Sequence, residues 1–223
     1  MQELCDRRLL IAIFLSWEGD PVKAHDTNVR YIYVAVGILV FAAIMLVVIP
    51  SFQMKTIQPE PGVRPYSNLE AWGRDIYARE GCFYCHSQQP RDPSLAPDGK
   101  RSWGRASTPG DYVYDFPHLL GTMRTGPDLL NIGVRQPSDD WHLVHLYQPR
   151  AVVPWSIMPA YGYLFEWRAT VSAGIKPLTL PPAYAPPSGY IVPRPEALAL
   201  VAYLKSLKRH EIPRDWNKGE ESP

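Results

Sequence analysis

The chain has 223 residues, a formal net charge of +1, three cysteines and 24 prolines. This length and composition fit one modest globular domain with an added membrane anchor. The near-zero charge argues against a nucleic-acid partner and against a polybasic membrane-binding patch. Two cysteines share one short motif, so no disulfide framework is expected, and Cys5 is given no role. The apolar run Leu9–Trp17 is too short to cross a membrane.

The first predicted element is an apolar run from Tyr31 to Ile49, nineteen residues without a charged side chain, followed by Pro50. A helix of that length just crosses a bilayer core of about 30 Å. A cleaved signal is disfavoured because the run is too long and no small-residue cleavage site follows it; the other alternative is a buried core helix. The first part of the chain therefore divides into three segments. They are an N-terminal segment (residues 1–30), a membrane anchor (residues 31–50) and a tether (residues 51–66).

A helix is predicted next, because Ser67 and Glu70 form an S-x-x-E capping box. The helix ends at Gly81, directly before the first cysteine of the motif described below. Four apolar residues at helical spacing are expected to form its buried face: Leu69, Trp72, Ile76 and Tyr77.

Residues Cys82, Cys85 and His86 form a C-x-x-C-H motif, the attachment sequence for a c-type haem. Each thiol adds across one vinyl group of the porphyrin, and the adjacent histidine becomes the proximal iron ligand. A thioredoxin-like redox pair would need a βαβ context, which the sequence lacks. Half of a zinc site would need a second ligand pair, and the remaining cysteine, Cys5, precedes the membrane anchor. The motif therefore predicts covalently bound haem.

Two more helices are predicted towards the C-terminus. One runs from Ser138, as its N-cap, to Tyr147 and is stopped by Pro149. The last has Pro195 in its first turn. Its apolar stripe consists of Leu200, Tyr203, Leu204 and Leu207. The basic residues that suit its C-terminal end are Lys205, Lys208 and Arg209. In a class I cytochrome c, the first and last helices pack across each other and close the haem pocket.

An electron-carrying haem needs a second axial ligand, and a methionine thioether raises its potential relative to a second histidine. Among five methionines, Met158 lies in a proline-stiffened loop between the motif and the last helix, so we predict it as the ligand, with Met123 in reserve. His142 and His145 are three positions apart, but no further ligand is spaced to complete a metal site. We expect one of them to face the pocket or a partner and the other to face water.

The segment Gly126–Leu129 is similar to a G-P-x-L segment that lies against the proximal histidine in cytochromes c. That similarity implies that the carbonyl of Pro127 accepts the Nδ1 proton of His86 and fixes its tautomer. Arg124 is expected to pair with a haem propionate, the alternative being an exposed surface arginine.

Several runs, in chain order, carry a more specific resemblance: Arg64-Pro65-Tyr66, Gly73 to Tyr77, Glu80 to Gln88, Val113-Tyr114-Asp115, Arg124 to Leu129, Asp140-Trp141-His142, and Met158-Pro159-Ala160-Tyr161. Together they resemble the mono-haem subunit II of cbb-type cytochrome c oxidases, the FixO/CcoO family. The resemblance implies a mainly α fold: one N-terminal transmembrane helix and a class I cytochrome c-like domain with long Pro-rich loops. The implied periplasmic domain comprises residues 67–210 and includes a Pro-rich insertion, residues 166–195. A polar tail, residues 211–223, follows it.

The resemblance also implies a function in aerobic respiration at the bacterial inner membrane, with the N-terminus cytoplasmic. One haem c, held by His86 and Met158, would relay electrons from another cytochrome c, either a further subunit or a soluble donor, to a haem–copper catalytic subunit. The chain alone would be non-catalytic. Three alternatives stay open: a mono-haem subunit of a nitric oxide reductase, a free-standing membrane-tethered cytochrome shuttle, and a structural assembly subunit.

Overall fold

The computed structural model describes residues 29–92 and 106–209. The chain forms two compact units that divide between Thr56 and Ile57. The predictions made for Cys5, for Leu9–Trp17 and for the polar tail lie outside the described residues.

The first unit is helical from Val29 to Met54. It consists of α1 (Val29–Ala43), a π-helical turn (Ile44–Val48) and α2 (Ile49–Met54). Within the described residues, one helix is long and apolar enough to cross a membrane, Tyr31–Met54, with a mean hydropathy of 3.1. The prediction of a single N-terminal helix able to span a membrane is confirmed.

The predicted end of this helix at Pro50 is wrong, because the helix continues to Met54. Proline lacks an N–H group and its ring crowds the carbonyl four residues before it, which normally ends or kinks a helix. Here the preceding turn widens, since the Ile49 N–H donates to the carbonyl of Ile44, five residues back. Ser51 Oγ also donates to the Val47 carbonyl at 2.6 Å. The π-helical turn thus lets the helix pass through the proline.

The second unit is mainly helical, as predicted. Its helices are α3 (Asn68–Arg79), α4 (Cys82–Cys85), α5 (Ile132–Arg135), α6 (Asp139–Tyr147) and α7 (Pro195–Ser206). Within the described residues of this unit, 3₁₀ turns occupy Pro109–Tyr112, Pro149–Ala151 and Gly162–Leu164. Strands β1 (Phe165–Arg168) and β2 (Tyr190–Pro193) pair antiparallel, with Phe165 opposite Pro193.

The predicted helix starts are confirmed by their caps. Ser67 N–H donates to Glu70 Oε2 at 2.8 Å, and Glu70 N–H donates to Ser67 Oγ, which completes the capping box of α3. Ser138 Oγ accepts from the Trp141 N–H at the start of α6. Local side-chain chemistry at helix ends is visible in sequence because its partners are three residues apart.

One detail of the predicted helices is wrong. Leu69 and Trp72 of α3 are 48% and 40% exposed, so its buried apolar face is confined to its C-terminal half. Helix α7 ends at Ser206 with Leu207 as its C-cap, so Lys205 lies in its last turn, and Lys208 and Arg209 follow directly after its C-terminal end.

The core is centred on the crossing of α3 and α7. A Cβ atom placed on Gly73 would lie 2.0 Å from the carbonyl oxygen of Ala199, so the two backbones meet where a side chain does not fit. Tyr77 and Tyr203 pack beside this crossing with ring centroids 5.4 Å apart, and both are at most 1% exposed. This contact joins the helix before the motif to the last helix.

The Pro-rich region predicted as an insertion, 166–195, contributes to the core. Ile191 and Val192 of β2 are buried, and the Leu178 N–H donates to the Ile191 carbonyl at 2.8 Å. The predicted tether is likewise bonded to the domain in its second half, because Thr108 Oγ1 donates to Glu60 Oε1 at 2.8 Å.

Candidate functional site

The two motif cysteines lie on one helical turn. Helix α4 spans Cys82 to Cys85, and residues three apart on a helix face the same side. The His86 N–H donates to the Cys82 carbonyl at 2.8 Å and closes the turn. Cys82 is half-buried and Cys85 is exposed. Burial raises the pKa of the Cys82 thiol to about 11, so that thiol is protonated at neutral pH.

The His86 ring is held by the backbone of a distant segment. Its Nδ1 lies 2.8 Å from the carbonyl oxygen of Pro127, the contact expected from the sequence. A carbonyl only accepts, so Nδ1 carries the proton and Nε2 carries the lone pair that binds metal. The segment approaches closely because Gly126 lacks a side chain: a Cβ there would lie 2.2 Å from His86 Cε1. The Gly126 N–H also donates to the Cys85 carbonyl at 3.0 Å.

Arg124 holds the chain that follows the motif. Its guanidinium donates to the carbonyls of Ser87 (3.1 Å) and Gln89 (2.8 Å) and pairs with Asp128 at 3.2 Å. The side chain is 3% exposed, so the alternative of an exposed surface arginine is wrong. These contacts are with protein acceptors, and the propionate contact stays a prediction.

Sequence reasoning missed two polar contacts next to the motif. Ser87 Oγ donates to the Gly121 carbonyl at 2.6 Å and accepts from the Gly121 N–H at 3.0 Å. Tyr77 Oη donates to the His86 carbonyl at 2.7 Å. Neither pair has a sequence signal, because serine and tyrosine at these positions are equally consistent with ordinary surface or core residues.

The two candidate methionines differ in their surroundings. Met123 is 60% exposed. Met158 is half-buried and packs at the edge of the core together with Cys82, Phe83 and Tyr161. Its loop is anchored by the Tyr161 N–H, which donates to the Leu146 carbonyl of α6 at 2.9 Å. Met158 and the motif residues Cys82 and Phe83 therefore border the same hydrophobic core.

The expectation that one helical histidine faces water is wrong. His142 is 2% exposed and its Nε2 lies 2.8 Å from the Gln136 carbonyl. The His145 ring stacks on Trp141 with centroids 4.7 Å apart. Burial lowers the pKa of His145 to about 4, so that ring is neutral at physiological pH. In the described part of the chain, no cluster of three or more His, Cys, Asp or Glu side chains is placed to hold a metal ion.

A surface cleft of about 660 Å³ lies at another place on the second unit. Its lining includes Leu69 and Glu70 of α3 and Leu198 and Lys205 of α7, and none of the predicted site residues. The chemistry of the motif is therefore separate from this cleft.

Comparison with known families matches residues 23–180 to the family described as cytochrome c oxidase, mono-heme subunit/FixO. This is well over half of the 223 residues, which puts the chain in the class of mono-haem oxidase subunits. The chain belongs to the FixO family, as its motifs predicted. Membership implies a haem cofactor and a complex with the other subunits of a cytochrome c oxidase. No curated protein matches the chain.

Proposed function

We propose that this chain is the membrane-anchored electron-transfer subunit of a cbb-type haem–copper oxidase and binds one haem c covalently. The observation that carries the proposal is the arrangement at α4. Two thiols, Cys82 and Cys85, face one side of a single turn, and the adjacent His86 has its Nδ1 held by Pro127. Cys82 and Cys85 would hold the haem through thioether bonds, each thiol S–H adding across one vinyl group.

The donor set fits a haem iron with one nitrogen and one sulfur ligand. His86 Nε2 carries the lone pair that would bind the iron, and we assign the Met158 thioether as the second protein ligand. Its half-buried position against the core, in the loop whose Tyr161 side chain hydrogen-bonds Cys82, supports this choice, whereas Met123 is exposed. When bound, the haem supplies a one-electron redox centre whose potential depends on these ligands.

The other residues of the site act on the polypeptide. The Pro127 carbonyl fixes the tautomer and ring orientation of His86. Arg124 and Ser87 hold the chain after the motif against the segment 121–128. We therefore assign Arg124 to this structural contact, and its contact with a haem propionate stays a prediction.

The proposed topology follows from the apolar helix and the site of haem attachment. Helix Tyr31–Met54 would anchor the chain in the inner membrane, with the N-terminus in the cytoplasm and the second unit in the periplasm. Electrons would arrive from another cytochrome c and leave to the haem–copper catalytic subunit. The uncharged, aromatic surface around Trp155 and Ile157, 75% and 76% exposed, supports burial against another subunit.

The test is purification of the tagged full-length chain from its native membrane. We expect haem staining of this chain after denaturing electrophoresis, additional haems in the copurified complex, and oxygen reduction. Cys82→Ser and Cys85→Ser together should abolish the staining, whereas Cys5→Ser should retain it. A colourless chain would refute covalent attachment. Copurified nitric oxide reduction without oxygen reduction, or a monodisperse chain with one haem, would refute the oxidase assignment.

A further inference from the structure

A hydrogen bond between distant residues joins the Met158 loop to the helix that precedes the motif. Tyr163 Oη donates to Glu80 Oε2 at 2.5 Å, and the two residues are 83 positions apart. Glu80 is the C-cap of α3 and lies two positions before Cys82. Tyr163 lies five positions after Met158, in the 3₁₀ turn that ends the loop. The bond therefore connects the two parts of the chain that supply the proposed haem contacts.

The acceptor of this bond is fixed in place. The Glu80 side chain is 13% exposed, and its other oxygen, Oε1, accepts from Arg79 Nε at 2.9 Å. A hydrogen bond to an ionised carboxylate is stronger than one between neutral groups. Burial is the largest cause that raises the pKa of Tyr163, and the hydrogen bond to Glu80 and the negative charge of Glu80 add to it. Together they raise this pKa to about 12. The phenol thus remains a donor at physiological pH.

The loop has no charged group of its own with which to hold its position. Residues 151–165 contain no Asp, Glu, Lys or Arg. Trp155 and Ile157, which both precede Met158 within the loop, are exposed. A charged partner for the loop must therefore come from elsewhere in the chain, and Glu80 supplies it.

A second tyrosine of the loop also reaches the motif, but its contact is of a different kind. The Tyr161 side chain hydrogen-bonds Cys82, and its ring packs edge-on against Tyr163 with centroids 6.0 Å apart. Haem attachment as proposed above converts the Cys82 thiol into a thioether and changes this contact. The Tyr163–Glu80 bond involves neither sulfur nor haem, so attachment leaves it intact.

We propose that Tyr163 and Glu80 form a clasp that keeps the Met158 loop closed over the haem motif. Tyr163 is thus a positioning residue that acts through Met158, and the inference rests on Met158 being the ligand in the proposed function. Opening of the clasp frees the iron position that the thioether occupies. The clasp therefore sets how readily an external ligand displaces Met158.

The experiment measures imidazole affinity of the ferric, haem-loaded full-length chain in detergent by absorbance titration. Tyr163→Phe removes only the hydroxyl group, and we expect imidazole affinity to rise about tenfold, as for loss of one hydrogen bond to a charged group. Glu80→Gln should raise the affinity by a smaller factor, because a neutral acceptor remains. Combined with Tyr163→Phe, it should add little, because without the Tyr163 hydroxyl group there is no bond for the Glu80 change to weaken. Tyr190→Phe is the matched control: this tyrosine is 48% exposed and makes no side-chain hydrogen bond within the described residues.

Two outcomes separate failure of the clasp from failure of the ligand assignment. Met158→Leu should raise imidazole affinity beyond every clasp variant and abolish the sulfur-to-iron charge-transfer band. If it changes neither property, the ligand assignment and the clasp both fail. If Met158→Leu behaves as expected but Tyr163→Phe titrates like Tyr190→Phe, the clasp alone is refuted. Fully additive effects of Tyr163→Phe and Glu80→Gln would also refute it.

Discussion

His86 Nδ1 lies 2.8 Å from the carbonyl oxygen of Pro127, although the two residues are 41 positions apart. The contact exists because the residue before the proline, Gly126, has no side chain where its Cβ would meet the imidazole. The orientation of the proposed iron ligand therefore depends on backbone packing as well as on the motif itself.

Gly126→Ala tests this dependence. The added Cβ would lie 2.2 Å from Cε1 and 2.6 Å from Nδ1 of His86, so the ring must move away from the Pro127 carbonyl. Overpacking of this kind costs about 1–3 kcal/mol, and we expect the yield of haem-loaded chain to fall roughly tenfold. Haem absorbance per mole of purified chain measures the effect. Gly162→Ala is the control, because its added Cβ meets no described atom within 4 Å. Equal haem yields from the two variants would contradict the prediction.

The choice between the two methionines is tested by paired substitutions to leucine, which keep the volume and remove the sulfur. Met158→Leu should lower the midpoint potential by at least about 59 mV, the one-electron equivalent of a tenfold change in relative affinity. Met123→Leu should leave the potential unchanged, since Met123 is 60% exposed. Redox titration of both proteins measures the difference. The opposite pattern would make Met123 the ligand.

Local features of the chain were predictable, and contacts between distant segments were not. The capping box of Ser67 and Glu70 and the turn from Cys82 to Cys85 depend on partners within three positions, so the sequence indicates them directly. The Pro127 contact was expected only by similarity to cytochromes c. The Tyr163–Glu80 bond joins residues 83 positions apart, and no local pattern indicates such a pair.

Buried charges illustrate the same limit. Arg74 Nε pairs with Asp115 Oδ1 at 3.1 Å, with side chains only 7% and 1% exposed. In the sequence, Arg74 stands on an amphipathic helix, where a solvated surface position is the ordinary expectation. Its burial follows from packing against the distant segment 115–117, where Asp115 pairs with it and the carbonyls of Phe116 and Pro117 accept from its guanidinium group. Such a position is set by tertiary packing and not by local helix preference.

The helix crossing makes a separate prediction about stability. Alanine favours an isolated helix over glycine by about 1 kcal/mol, but at Gly73 its Cβ would lie 2.0 Å from the Ala199 carbonyl oxygen. We expect Gly73→Ala to lower the free energy of unfolding by at least about 2 kcal/mol, because the backbones must separate. Ala71→Gly, at an exposed position of the same helix, measures the difference in helix preference between alanine and glycine without a change in packing. Denaturant titration of both variants measures the effect. A stabilised Gly73→Ala protein would show that the crossing tolerates a side chain.

The ion pair between Arg64 and Glu70 predicts a specific dependence of stability on acid. Arg64 Nη2 donates to Glu70 Oε1 at 2.6 Å, and the Ser67 N–H donates to Oε2 at 2.8 Å. These bonds, with that from Arg64 the largest cause, lower the pKa of Glu70 to about 2. A carboxyl group whose pKa is lower in the folded state stabilises the fold above its unfolded pKa of about 4.3, and this contribution is lost as the pH falls towards 2.

Glu70→Gln keeps the shape of the side chain and an acceptor for Ser67, but removes the charge. We expect the wild-type free energy of unfolding to exceed that of Glu70→Gln above pH 5 and the two curves to converge between about pH 4.3 and pH 2. The difference should be at most about 1 kcal/mol and should shrink in high salt, because the Arg64 side chain is 60% exposed. Denaturant titrations at a series of pH values measure both curves. If the curves stay parallel across this range, the ion pair does not stabilise the start of α3.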